Sequence, residues 1–426
     1  MKIRGKIDSS KLRKESEEKS IPIVDLLLEK LKDISQKEKK GYTLFAVCPN
    51  SENVVKALLR AAKRAHAPVL FAATLNQVDI DGGYTGWTQY DLVRKIKEQS
   101  YRIGYSGPII VAIDHGGPWV KDIQTIEKWD LRKSMDWIKK SFEAALEAGY
   151  DLLHVDPTVD IFAGDIKIET VVERTVELIL HVEKFRKFKK IKPVSYEVGT
   201  EEVHGGLADI NIFKKFLKLL KDGLKSVGLE YVWPSFIVGK VGTDLHTTIF
   251  DLVVAERLVN IAAGYGSYIK GHYTDFVSNP EDYPKIGMGG ANVGPEFTIL
   301  EYDALEELYA IEDNLYGENK IACRSNFKQI LEETVIKSGR WEKWLHDDEK
   351  DFKSLSNKRK GWIMKTGCRY VWAQPEVRCA QYKLYRNLEL NGIDAENWVL
   401  VNIEKSMDKY FRAFNLINLN EKLNIC

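Results

Sequence analysis

A chain of 426 residues, 44% apolar and 29% charged, is long enough for an α/β barrel of roughly 250 residues with an appendage, and its composition is neither disordered, collagen-like nor membrane-spanning. With 63 Lys and Arg against 62 Asp and Glu the net charge is +1, which leaves no electrostatic footprint for nucleic acid. Five scattered cysteines form no C-x-x-C pair, and the charged opening MKIRGKIDSSKLRKESEEKS has no apolar core of a signal peptide, so reduced thiols in a cytoplasmic protein with no membrane span are expected.

After a helical lead-in over 1–40, short β-branched runs alternate with segments of helical period, the pattern of βαβ units on a parallel sheet. The predicted strands are Thr43–Asn50, Val69–Gln77, Ile109–Gly116, Leu152–Pro157, Pro193–Glu201, Pro234–Gly242, Ser267–Thr274 and Lys285–Gly294. Amphipathic stretches such as Asn53–His66, Thr88–Tyr101, Leu131–Ala148, Lys167–Phe185, Ile210–Val227 and Phe250–Ala263 lie between them. Eight units in one series predict a (β/α)8 TIM barrel over 41–318 rather than an open sheet. The alternation then stops, and 319–426 reads as a C-terminal helical extension, with Asp347–Trp362 as a solvated linker inside it.

In such a barrel the βα loops converge on one mouth, so polar residues at strand ends are informative. The third strand ends in Asp114-His115, the sixth runs on to Asp244-Leu245-His246, and the seventh ends in His272. Three imidazoles at one mouth are a ligand set for a divalent metal, Zn2+ first, with an open position for substrate. Asp114 is placed to act as proton donor or acceptor, and Glu197, Glu201 or Glu202 offers a further carboxylate. His204 is an alternative third ligand, whereas His154, inside the fourth strand, reads as a core histidine beside the better-placed Asp156. The glycine-rich run Gly287–Gly294, with Gly289 and Gly290, could hold a phosphate through backbone N–H groups. There is no Walker A motif or dinucleotide fingerprint.

Several of these residues also fall into a recognisable order. Asn76-Gln77-Val78 with Asp81-Gly82-Gly83-Tyr84-Thr85-Gly86, then Asp114-His115, Glu197-Val198-Gly199-Thr200-Glu201, Gly271-His272-Tyr273-Thr274-Asp275, and Arg369-Tyr370-Val371-Trp372 with Pro375, resemble the class II D-tagatose-1,6-bisphosphate aldolase accessory subunit family, once described as tagatose-6-phosphate kinases. The resemblance spans about residues 40 to 390, and the family is itself similar to zinc-dependent class II ketose-bisphosphate aldolases. It implies Asp114 as acid/base and His115, His246 and His272 as zinc ligands, while Glu197 and Glu201, from their place at the end of the fifth strand, are expected as further catalytic carboxylates. Asn76, Gln77, Asp156, Gly289, Gly290 and Asn292 are expected to meet the substrate, a sugar or sugar phosphate. The chain departs from the aldolases in having Tyr273-Thr274-Asp275-Phe276 where they carry a phosphate loop.

Two functions follow as expectations: a metal-dependent lyase or epimerase on a ketose, or a non-catalytic subunit that stabilises a separate aldolase subunit. Trp341, Trp344, Trp362 and Trp372 would then be core or interface, and an oligomer is expected.

Overall fold

The computed structural model describes residues 7–163, 166–199, 208–243, 249–346 and 349–426. Eight strands, β1 (Leu44–Val47), β2 (Val69–Thr74), β3 (Ile109–Gly116), β4 (Leu152–Val155), β5 (Ser195–Gly199), β6 (Phe236–Val238), β7 (Tyr268–Gly271) and β8 (Gly290–Val293), form a closed parallel barrel in sequence order. The circle closes where Leu44 to Val47 pair with Gly290 to Val293. Each strand lies within the run predicted for it. Buried on both faces, these strands read as nearly continuous apolar segments, which is why the alternation was legible.

The helices between strands follow from amphipathic spacing and capping. In Glu52–Ala65 the Ser51 hydroxyl accepts from the Val54 amide at the N-terminus, and Val54, Val55, Leu58, Leu59 and Ala62 form the face turned inward. Helix Gln89–Ile103 opens with a reciprocal capping box between Thr88 and Asp91 and closes on Gly104 in the left-handed conformation.

Both ends of the chain return to the barrel. The N-terminal helix Ile23–Glu38 carries Asp25 to the start of β5 and β6, where the Ser195 hydroxyl donates to it at 2.9 Å and Ser235 donates as well. The C-terminal helix Ala395–Ala413 packs against Glu52–Ala65 and Pro295–Gly317, and Tyr410 stacks on Phe45 of β1 with ring centroids 5.2 Å apart. The segment expected to be a solvated linker is partly built into the fold. Phe352 and Leu355 are buried, the Trp341 and Phe352 rings meet edge to face at 5.4 Å, and Asn357–Gly367 is a helix. Two apolar side chains among the charges suffice to dock the segment, a contribution that a charge count conceals.

Candidate functional site

The site is built on a defect in β3. Ile113 pairs with Leu153 and Gly116 with Val155, so Asp114 and His115 together face the single residue His154 on β4. That extra residue is a β-bulge, and His115 takes it up in the left-handed conformation, φ 53°. On a regular strand, consecutive side chains point to opposite faces; here Asp114 and His115 line the same cavity. The His115 amide, freed from the ladder, donates to Nδ1 of His154 at 3.1 Å. Gly117 completes the turn, since a Cβ there would fall 1.8 Å from the Asp156 carbonyl oxygen.

Asp114, His115, His154 and His272 form a group able to hold a metal ion, one ligand atom from each lying within 4.8 Å of the others. Their neighbours fix the two most exposed rings. Asp156 meets His115 Nδ1 at 2.5 Å and is itself held by the Thr158 hydroxyl at 2.6 Å. Glu197 meets His272 Nε2 at 2.9 Å, and Lys270 Nζ donates to its other oxygen at 2.6 Å. The remaining ring nitrogens, His115 Nε2 and His272 Nδ1, face each other at 3.0 Å. Carboxylates behind imidazoles set the tautomer and raise ligand basicity, which is the usual outer layer of a metal site. His154 Nε2 is buried without a hydrogen-bond partner among the described residues, and Asn292 Nδ2 donates to Asp114 at 3.0 Å.

Burial disfavours the charge on Asp114, yet the His115 and His272 rings hold its carboxyl well below the usual carboxylate range. Burial likewise opposes an imidazolium at His115, but Asp114 and Asp156 raise its pKa to about 9. At His272 burial prevails and the pKa falls to about 4. Glu197 is brought to about 2 against its burial, chiefly by Lys270. Neighbouring carboxylates thus favour a proton on His115, whereas burial disfavours one on His272.

The cluster opens into a cavity of about 240 Å³ whose walls include Asn50, Asn76, Gln77, Asp114, His115 and His272 on the barrel, with Lys343, Trp344, Arg369 and Tyr370 from the C-terminal segment.

Residues 29–413 match the GatZ/KbaZ-like family of D-tagatose-1,6-bisphosphate aldolase subunits. The chain belongs to this family. Among solved structures, a probable tagatose 6 phosphate kinase from Sinorhizobium meliloti 1021 is 21% identical with a TM-score of 0.72, covering 87% of this chain and 100% of that one. The fructuronate-tagaturonate epimerase UxaE from Cohnella laeviribosi is 8% identical with a TM-score of 0.54, covering 88% and 82%. The fructose-bisphosphate aldolase Fba from Campylobacter jejuni is 12% identical with a TM-score of 0.52, covering 93% and 95%. At these identities the likeness is one of fold.

In this GatZ/KbaZ-like chain the expected residues are distributed unevenly. Asp114, His115 and His272 come together, and Asn76, Gln77 and Asn292 line the cavity with them. Much of the polar capacity of Asn76 and Gln77 is spent on the fold: Asn76 donates to the Val120 carbonyl at 3.1 Å, and Gln77 donates to Asn50 at 2.6 Å. Glu197 and Asp156, at 0% and 1% exposure, stand behind the imidazoles rather than on the cavity wall. Gly289 and Gly290 lie at the opposite end of β8 from Asn292 and the mouth; a Cβ at Gly290 would approach Lys270 Cγ to 3.2 Å, so this glycine makes room for the buried lysine. His246, Glu201, Glu202 and His204 fall outside the described residues.

Two members of the cluster's surroundings were missed. His154, read as a core histidine, is buried as expected but sits beside Asp114, its Nδ1 3.5 Å from Oδ1. Its signal was the shared strand parity of His154 and Asp156. Lys270 had the same signal, two residues before His272.

Proposed function

We propose that the chain is a divalent-metal-dependent carbon–carbon lyase, or an epimerase working by the same bond breaking or by deprotonation, acting on a ketose or ketose phosphate. The observation that carries this reading is the convergence of Asp114, His115, His154 and His272 at the mouth, with Asp156 and Glu197 behind two of the rings. The donor set fits a metal: two ring nitrogens, each ring backed by a carboxylate at its other nitrogen, face each other, and the Asp114 carboxylate adjoins them. His115 and His272 would hold the ion with His154 beside them and His246 as the further ligand expected from sequence. Imidazole-rich sets suit zinc.

A cation bound there supplies Lewis-acid polarisation of the ketose carbonyl. The chain's own residues do the rest. Asn292 fixes the Asp114 carboxylate, which the neighbouring rings keep ionised. Asp114 takes the proton of the C4 hydroxyl, the released pair forms the C4 carbonyl, and the C3–C4 bond breaks with its electrons passing to the enolate of the C2 carbonyl. In cleavage a proton from water reaches C3 and Asp114 gives up the proton it took to solvent; in epimerisation the enolate carbon re-adds to the other face of the aldehyde and Asp114 returns its proton to the C4 oxygen.

Membership of a family of aldolase subunits supports a second reading in which the barrel stabilises a separate catalytic subunit without turnover of its own. Incubating the isolated, metal-loaded chain with D-tagatose 1,6-bisphosphate and other ketose phosphates separates the two. Cleavage or epimerisation abolished in Asp114→Asn supports the enzyme; no turnover alone, together with activation of an added class II aldolase, supports the subunit.

A further inference from the structure

The wall of the cavity formed by the C-terminal segment consists largely of donors. Arg369 is 8% exposed, and no carboxylate pairs with it among the described residues. Its Nη2 donates to the Tyr370 hydroxyl at 3.1 Å, and its guanidinium lies 4.9 Å from the Tyr370 ring and 5.7 Å from the Trp344 ring. Among the described residues its Nη1 has no hydrogen-bond partner, and neither does the indole Nε1 of Trp344, both buried. Each of these groups can only donate. Lys343 stands on the same wall, 4.9 Å from the Tyr370 ring.

The nearby carboxylates neutralise this wall only in part. Asp122 accepts from Arg340 at 2.6 Å and from Lys343 at 3.1 Å, so one carboxylate serves two cations. Asp275, on the cavity's barrel side, accepts from the Gly294 and Glu296 amides at 3.0 and 2.7 Å through a single oxygen; it lies near enough to feel the charge of Arg369, but burial raises its pKa to about 7. A buried guanidinium with no carboxylate hydrogen-bonded to it is costly, and two aromatic faces and a partly ionised Asp275 compensate only part of that cost.

We propose that Arg369, with the Trp344 indole and Lys343, forms a subsite for an anionic group, phosphate or carboxylate, carried by a substrate whose reacting carbons lie at the Asp114 cluster. This rests on the reading of the mouth as a sugar site and names the side chains that would meet the substrate's charged end. It also gives 319–426 a role: residues distant in sequence would complete the site, in place of the glycine-rich run at the start of β8.

Calorimetric titration of the full chain with inorganic phosphate, D-tagatose 6-phosphate, D-tagaturonate and neutral D-tagatose tests this. At least one anionic sugar should bind about tenfold or more tightly than D-tagatose, the scale of one charge-assisted hydrogen bond. A preference confined to the 6-phosphate identifies phosphate, and one confined to tagaturonate identifies carboxylate; either supports the subsite. Arg369→Gln should remove the preference. Lys343→Met, at a side chain 38% exposed and therefore safe for folding, should reduce it roughly threefold. Equal binding of all three sugars by the wild type, or a preference that survives both substitutions, overturns the proposal. His272→Ala separates this inference from the enzyme reading: it should abolish turnover while inorganic phosphate still binds, and binding by a wild type without turnover would leave the subsite standing while the enzyme reading fails.

Discussion

The backbone N–H of His115 donates to Nδ1 of His154 across the bulge in β3, at 3.1 Å. Through this bond a ring on β4 holds the conformation that brings Asp114 and His115 to the same cavity. His154→Leu should leave a buried amide unpaired and cost about 1–3 kcal/mol. His154→Asn, whose side-chain oxygen can replace Nδ1 as acceptor, should cost less. Denaturant unfolding of the two variants checks the order; equal losses would mean that the bond does not maintain the bulge.

Asp156 acts through His115. With its 2.5 Å contact removed in Asp156→Ala, the His115 ring is free to turn and its Nε2 becomes a poorer ligand. Metal affinity, measured by competition with a chelator, should fall about 10- to 100-fold with the barrel's far-ultraviolet dichroism unchanged. Unchanged affinity would remove His115 from the ligand set.

Lys270 and Glu197 form a pair that is 1% and 0% exposed inside the barrel. Lys270→Met strands the carboxylate and should destabilise by about 3–5 kcal/mol, whereas Lys270→Met combined with Glu197→Leu should recover much of that loss. Chemical denaturation reads both. The double variant should still bind metal more weakly, because His272 then lacks the acceptor at its Nε2.

Glu301 gives a pH signature away from the cluster. Burial raises its pKa from 4.5 to about 7, although Ser51 and Asn53 donate to it at 2.6 and 2.7 Å. A carboxyl with a raised folded-state pKa binds more protons folded than unfolded. The stability it contributes is therefore present below pH 4.5 and lost as pH rises through about 7. Relative to Glu301→Gln, the wild type should lose on the order of 3 kcal/mol across that window, at about 1.4 kcal/mol per pKa unit. A stability difference that is flat with pH would contradict the assignment.

What the sequence revealed depended on whether the signal was local. Runs such as Ile109-Ile110-Val111-Ala112-Ile113 announce buried parallel strands, and the polar endings Asp114-His115 and His272 announce the mouth, because both signals lie within one strand. His154 was hidden because its role arises from a bulge on the neighbouring strand, and no single-strand pattern records a register shift between two strands. Gly290 looked like part of a phosphate loop because glycine runs are unspecific; its use is to admit Lys270. Arg369 was legible as part of a family-like motif and Trp344 as a core or interface aromatic, but neither as a cavity wall, and Lys343 was legible only as part of a helical extension. The folding of that segment over the mouth depends on contacts hundreds of residues apart, including Arg340 with Asp122.

The chemistry proposed for the mouth requires a bound metal ion. Metal content of the purified, untagged chain measured by mass spectrometry, beside His272→Ala, tests it most directly. A near-stoichiometric divalent ion in the wild type, zinc by expectation, that is lost in the variant is the predicted result. No ion in the wild type, even after incubation with zinc, manganese or cobalt, or an ion retained equally by His272→Ala, would contradict it.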